Sequence, residues 1–202
     1  AQLAAFVKKA ATLAFIAALC SVLVLGAKLS PLMDAQALPT PSVEGKPAPE
    51  FTHTAQQDWI NSPPLKLEAL RGSVVLVDFW TFECWNCYRS IPWLNTVHER
   101  FNQKGLTIVS VHTPEFDREK VPGNIRKKVT EFDLRNPVMI DTDFSYWNAM
   151  GNRYWPSFFL IDKQGQVRAF YAGETHAGDS QATRIETTIE TLLAEPPNPS
   201  PA

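Results

Sequence analysis

Cysteine is scarce in this chain. Its 202 residues carry three, and two of those, Cys84 and Cys87, stand three positions apart. A structural zinc site needs four ligands, usually as two pairs. The third cysteine, Cys20, lies far away in an apolar segment, and no histidine pair at ligand spacing follows. A disulfide-scaffolded fold is excluded too, because a chain of this length buries a sufficient core without cross-links. Charge of one sign is also lacking. Formal net charge is -2, and beyond Ala37 16 lysines and arginines face 20 aspartates and glutamates, a balance of -4. Nothing there points to nucleic acid. No internal repeat is visible. With 45% hydrophobic and 20% charged residues, the composition is that of an ordinary globular protein, and the folded part reads as one domain.

What the chain does have is organised around Cys84-Trp85-Asn86-Cys87. The β-branched apolar run Val74 to Trp80 leads into a turn, and the turn into a helical pattern from about Cys84 to Gln103, kinked by Pro92. A cysteine at a helix N-terminus meets unsatisfied backbone N–H groups and the positive end of the helix dipole, both of which favour thiolate. The first cysteine is therefore the natural nucleophile. The second, one turn along the same face, is placed to attack the mixed disulfide that the first one forms. A disulfide with a purely structural role is disfavoured, since so short a loop adds little entropic stabilisation. Strand, C-x-x-C, helix is the pattern of a thioredoxin-like redox site, with the disulfide itself as the redox group and no cofactor or metal.

The N-terminus is different material. Lys8 and Lys9 precede the almost wholly apolar run Ala10 to Ala27, a basic region followed by a hydrophobic one. Its roughly 18 residues are at the margin for crossing a bilayer. Ala35-Gln36-Ala37 suits signal cleavage but lies well beyond the run, and Leu19 before Cys20 is a poor match to a lipoprotein signal. Residues 1–37 thus read as a signal anchor or a signal peptide. Either puts the following domain outside the cytoplasm, membrane-anchored or secreted. Residues 38–49 are Pro-rich and read as a spacer, residues 50–195 as the domain, and 196–202 as a disordered tail.

Within the domain, Phe51 to Thr54 and Leu65 to Leu67 read as strands joined by Asn61-Ser62-Pro63-Pro64, an N-terminal β-hairpin extension. Val74 to Trp80 reads as a strand buried on both faces, and Leu106 to Val111 as its parallel neighbour in a βαβ unit. Helices are expected over Lys120 to Phe132, Phe144 to Met150 and 179–194. Strands are expected at Val138 to Ile140, over Arg153 to Asp162, entered through Pro156, and at Val167 to Tyr171, the last two joined by a hairpin turn.

In this order the elements resemble thioredoxin. The N-terminal additions and the segment near residues 112–150 resemble the exported TlpA/ResA-type thiol-disulfide oxidoreductases, and most nearly the redoxin domain of DipZ-type cytochrome c biogenesis proteins. The residues that carry this are Phe79-Trp80-Thr81, Ile91-Pro92, His112-Thr113-Pro114-Glu115-Phe116, Lys120-Val121-Pro122-Gly123-Asn124 and Arg153-Tyr154-Trp155-Pro156. The resemblance implies an α/β, thioredoxin-like fold, a central mixed sheet flanked by helices. It implies that Cys84 attacks, that Cys87 resolves, and that Pro156 is cis beside the dithiol. Asp78 falls where thioredoxin carries its proton-handling carboxylate, and many TlpA-like proteins have Asn there. Partners of such a protein are clients with disulfides, apocytochrome c among them, and a membrane thiol electron donor of the CcdA/DsbD type. Two departures bear on potential and substrate: Glu83 replaces the usual Trp, and Trp85-Asn86 replaces Gly-Pro or Glu-Pro.

A carboxyl inside the sheet has its pKa raised by desolvation and is suited to take the proton from Cys87. His112 and Glu115 follow the neighbouring parallel strand, at the end of the sheet where α/β sites gather. Trp85 and Trp155 are candidates to flank the thiols as a docking surface. Two carboxylates near the thiol, Glu83 and Asp78, are expected to disfavour its thiolate and make the couple reducing. The rivals are a peroxide-reducing thiol enzyme, since Thr81-Phe82-Glu83-Cys84 matches a T-x-x-C motif, and a metal- or haem-delivery module that uses the thiols as ligands.

Overall fold

The computed structural model describes residues 40 to 196. The expected signal segment 1–37 and the tail beyond 196 lie outside these. The strands and α-helices among the described residues are β1 (Trp59–Ile60), β2 (Val74–Trp80), α1 (Trp85–Phe101), β3 (Leu106–His112), α2 (Pro122–Glu131), β4 (Val138–Ile140), α3 (Ser145–Ala149), β5 (Ser157–Ile161), β6 (Val167–Ala172) and α4 (Ser180–Ala194). They build one six-stranded mixed sheet in the order β1-β4-β3-β2-β5-β6. β2, β3 and β4 run parallel, and β1, β5 and β6 pair antiparallel to their neighbours.

All seven residues of β2 are buried, as its unbroken apolar run requires of a central strand. Alternation then divides them between two cores. Val74, Leu76 and Trp80 join Ile91, Leu94 and Val97 of α1, Ile125 and Val129 of α2, and Ile185 and Ile189 of α4. Val75, Val77 and Phe79 point the other way, to Phe51, Trp59, Tyr146 and Trp147. Asp78 has the parity of the first group, so it lies on the α1 side of the sheet. Pro92 sits inside α1. Among the described residues no helix is long and apolar enough to cross a membrane.

Two expectations are corrected. No N-terminal hairpin forms: neither Phe51 to Thr54 nor Leu65 to Leu67 is a strand, and the two-residue β1 between them pairs instead with β4. The cause is Glu50. Its carboxylate accepts the backbone N–H groups of Phe51 at 3.0 Å, of Glu68 at 3.0 Å, and of Leu67. Amides that a hairpin would pair with one another are thus drawn onto one side chain, while Phe51 and Leu67 stay buried. Nor is all of the Pro-rich stretch a spacer. Gly45 N–H donates to Val167 O at 2.8 Å, Val167 N–H to Lys46 O at 2.9 Å, and Ala48 N–H to Gly165 O at 2.9 Å. With Val43 and Ala48 buried, residues 43–48 line the start of β6 as part of the domain.

Candidate active site

The dithiol stands where β2 hands over to α1. Cys84 is the N-cap of α1 in extended conformation, and its sulfur accepts the backbone N–H of Cys87 at 3.1 Å. Cys84 and Cys87 form a disulfide with Cα atoms 5.2 Å apart. Their exposure is unequal: Cys84 is half-buried, whereas Cys87 keeps 2% of its surface and packs among Ile91, Leu94 and Trp80. Asn86 is exposed, and its carbonyl accepts the Ser90 hydroxyl at 2.8 Å. The Trp155–Pro156 peptide bond is cis.

The two expected docking tryptophans differ. Trp85 is 65% exposed, one of the most exposed large apolar side chains of the domain. It continues into Tyr88 (ring centroids 5.5 Å apart) and Phe132 (4.9 Å from Tyr88). With Phe82, Glu83 and Cys84 these rings line an open groove of about 330 Å³. Trp155 is anchored rather than presented. Its indole N–H donates to Thr113 O at 3.0 Å, and its ring lies 4.2 Å from that of Trp147.

Asp78 is 4% exposed, on the same face of the sheet as Cys87. Its register partner on β3 is Ser110, whose hydroxyl donates to Asp78 Oδ2 at 2.9 Å and in turn accepts from Asn136 Nδ2 at 2.9 Å. Burial raises the Asp78 pKa to about 7, and the Ser110 hydrogen bond only partly opposes this.

The loop after β3 holds the residue that sequence reasoning missed. Glu115 is exposed; the buried carboxyl is Glu119, at 0%. Glu119 accepts four hydrogen bonds: from the Thr81 hydroxyl, from Glu83 N–H at 2.8 Å, and from Glu115 and Phe116 N–H at 2.8 Å each. His112 is likewise fully buried. Its Nε2 lies 3.3 Å from Thr81 Oγ1, its Nδ1 has no hydrogen-bond partner among the described residues, and its ring sits between Trp80 and Phe82. Burial lowers its pKa to about 4, against the pull of Glu119. Glu83, expected to burden the thiol with a bare charge, is instead paired through both carboxylate oxygens with Arg118.

On the opposite face, His53, Asp141 and Asp143 group at metal-ligand spacing. Asp141 is already engaged by the N–H groups of Tyr146 at 3.0 Å and Trp147 at 2.9 Å and by the Thr113 hydroxyl at 3.1 Å. Its place is to pin α3 and the end of β3, and through Thr113 it supports the anchor of Trp155.

A thioredoxin-like domain with a C-x-x-C disulfide at a helix N-terminus, one sulfur accessible and one buried, defines a thiol-disulfide oxidoreductase. The chain belongs to the AhpC/TSA family, whose sequence model matches residues 44–170. It is 41% identical over 138 residues to protein DipZ of Mycobacterium tuberculosis, covering 67% of this chain but only 19% of that protein. The thiol-disulfide oxidoreductase YkuV of Bacillus subtilis is 29% identical over 150 residues, 74% of this chain and 96% of its own. A solved DsbE-named thiol:disulfide interchange protein of Chlorobium tepidum superposes with a TM-score of 0.64 at 26% identity, covering 75% of this chain and 98% of that one. The chain spans about a fifth of the DipZ proteins it matches.

Proposed function

We propose that this oxidoreductase works outside the cytoplasm as a reductant of protein disulfides, apocytochrome c among its clients, and that a membrane thiol donor of the CcdA/DsbD type recharges it. The observation that carries the chemistry is the unequal exposure of the two sulfurs. In the reduced protein the Cys84 thiolate attacks a client disulfide. A Cys84–client bond forms, the client bond breaks, and the client's other sulfur leaves as thiolate. Cys87 then gives up its proton and attacks Cys84 Sγ. The Cys84–Cys87 disulfide closes and the second client sulfur leaves, so two electrons have passed to the client. In this reading Asp78 takes the Cys87 proton; its burial on the α1 face of β2 and a pKa of about 7 support that role.

The trapping experiment follows from these roles. Cys87→Ser should accumulate mixed disulfides with clients, which mass spectrometry would identify, and Cys84→Ser should not. Equal trapping by both variants defeats the assignment. For location, the support is Lys8-Lys9 ahead of the apolar run. An alkaline phosphatase fused to the C-terminus should be active, and an inactive fusion places the domain in the cytoplasm.

A specific contact weighs against the peroxide reading that the family name invites. The one hydroxyl proton of Thr81 is given to the buried Glu119 and so is not offered to a peroxide oxygen. Insulin reduction should therefore far exceed peroxide consumption.

A further inference from the structure

Glu119 lies in the run Asp117-Arg118-Glu119-Lys120, whose other three members are exposed. Burying a carboxyl is costly unless its oxygens find donors. Two of its four donors, the Glu115 and Phe116 amides, belong to its own loop. The other two, the Thr81 hydroxyl and the Glu83 amide, belong to the turn ahead of the nucleophile. Glu83 supplies the last backbone amide before the N-cap. Arg118, one residue from Glu119, grips the Glu83 side chain from the same segment. Residue 83 is thus held by backbone and side chain together.

Behind the carboxylate the hydrogen bonds have a direction. Thr81 has one hydroxyl proton and gives it to Glu119, so its contact with His112 requires the proton on Nε2. A neutral His112 with that proton fits its lowered pKa. The turn is braced from both sides by groups that carry no dithiol chemistry themselves.

We propose that Glu119 is the positioning residue of the attacking thiol: its carboxylate clamps the turn Thr81–Glu83 to the loop after β3 and so keeps Cys84 at the N-cap of α1. The advantage is local. Stabilisation of a thiolate by helix amides and dipole fades within the first turn. A sulfur that drifts from the Cys87 N–H loses it. This rests on the reading of Cys84 as the attacking thiol.

The test is Glu119→Gln in the full chain, reduced, with the Cys84 pKa read from the pH dependence of iodoacetamide alkylation and stability read from urea unfolding. Gln keeps the size but turns an amide NH₂ toward backbone N–H donors. The Cys84 pKa should rise by about one unit toward the ordinary cysteine value, and neutral-pH alkylation should slow about tenfold. A lowered pKa would show that Glu119 acts only as a charge. An unchanged pKa with reduced stability would show a purely structural prop. Either result overturns the proposal. Thr81→Val removes one of the four donors and should move the pKa in the same direction by less, while Thr81→Ser should restore it. If Glu119→Gln does not fold, this pair decides. A Cys84→Ser control, with the alkylated cysteine identified by peptide mass so that Cys20 is counted apart, separates the two readings: fast alkylation at Cys87 in it defeats the assignment of Cys84 as the attacking thiol, whereas a reactive Cys84 whose pKa Glu119→Gln leaves unchanged defeats the clamp alone.

Discussion

Two buried carboxyls, one on the strand that feeds the dithiol and one tied to the turn ahead of it, have opposite surroundings. Asp78 lies under α1 in the middle of β2, and among the described residues its only donor is the Ser110 hydroxyl. Glu119 lies in a loop and is met by four donors. Burial alone does not set what such a group does; the number of donors aimed at it does. Desolvation with little compensation leaves Asp78 able to exchange a proton near pH 7. Full engagement makes Glu119 a fixed point to which two loops are tied. On the proposed reading, one site combines a mobile proton and a rigid frame, each built from a carboxyl.

The sharpest way to break this contrast is to remove the Asp78 charge and follow stability against pH. Its folded pKa is raised from about 4 to about 7, so the folded state keeps a proton that the unfolded chain has released. The Asp78 contribution is therefore most favourable below about pH 4, is lost as pH rises toward 7, and levels off above. At roughly 1.4 kcal/mol per pH unit, the loss is on the order of 4 kcal/mol. Asp78→Asn should flatten that part of the profile, measured by urea unfolding of the oxidised protein. The same variant should slow resolution of a Cys84 mixed disulfide at pH 7 by about 100-fold, the lower end of general-base contributions. The gap should narrow at higher pH, where Cys87 ionises unaided. A wild-type profile that does not fall between pH 4 and 7, or resolution at an unchanged rate, makes Asp78 an inert core group.

The same contrast explains what the sequence discloses. Asp78 is legible because it interrupts an apolar run; that Ser110 interrupts the neighbouring run at the matching position emerges only from the register. The dithiol, the strand that feeds it and the proline loop are legible for the same reason: each is a local pattern. Glu119 is not. Within Asp117-Arg118-Glu119-Lys120 it looks like one more solvated charge, and its burial depends on an amide and a hydroxyl offered by residues far off in the chain. Attention therefore falls on Glu115, which shares the loop and contributes only its backbone. Glu50 hides in the same way, and with it the reason that no hairpin forms. Patterns of alternation survive in one dimension. A carboxylate that collects backbone amides is a tertiary event.

The smallest expected effect sharpens the comparison at its edge, where Glu83 and Arg118 stand between frame and chemistry. From sequence alone, Glu83 next to the nucleophile opposes the thiolate and makes the couple reducing. The ion pair with Arg118 takes most of that force away. The Arg118 side chain is 67% exposed and that of Glu83 21%, so the pair is screened by solvent, and such pairs contribute about 0.2–1 kcal/mol. Arg118→Gln releases the Glu83 carboxylate beside Cys84. The thiolate becomes less favourable, the reduced state is destabilised, and the potential should move in the reducing direction. For a two-electron couple the shift should be no more than about 20 mV. Glu83→Gln in the same background should cancel it, since the released charge is then gone. Equilibration with glutathione buffers at low salt measures both, and added salt should shrink the shift. A shift in the oxidising direction, or one that persists without Glu83, means that Arg118 acts on the dithiol through the segment it shares with Glu119 and not through the charge it neutralises.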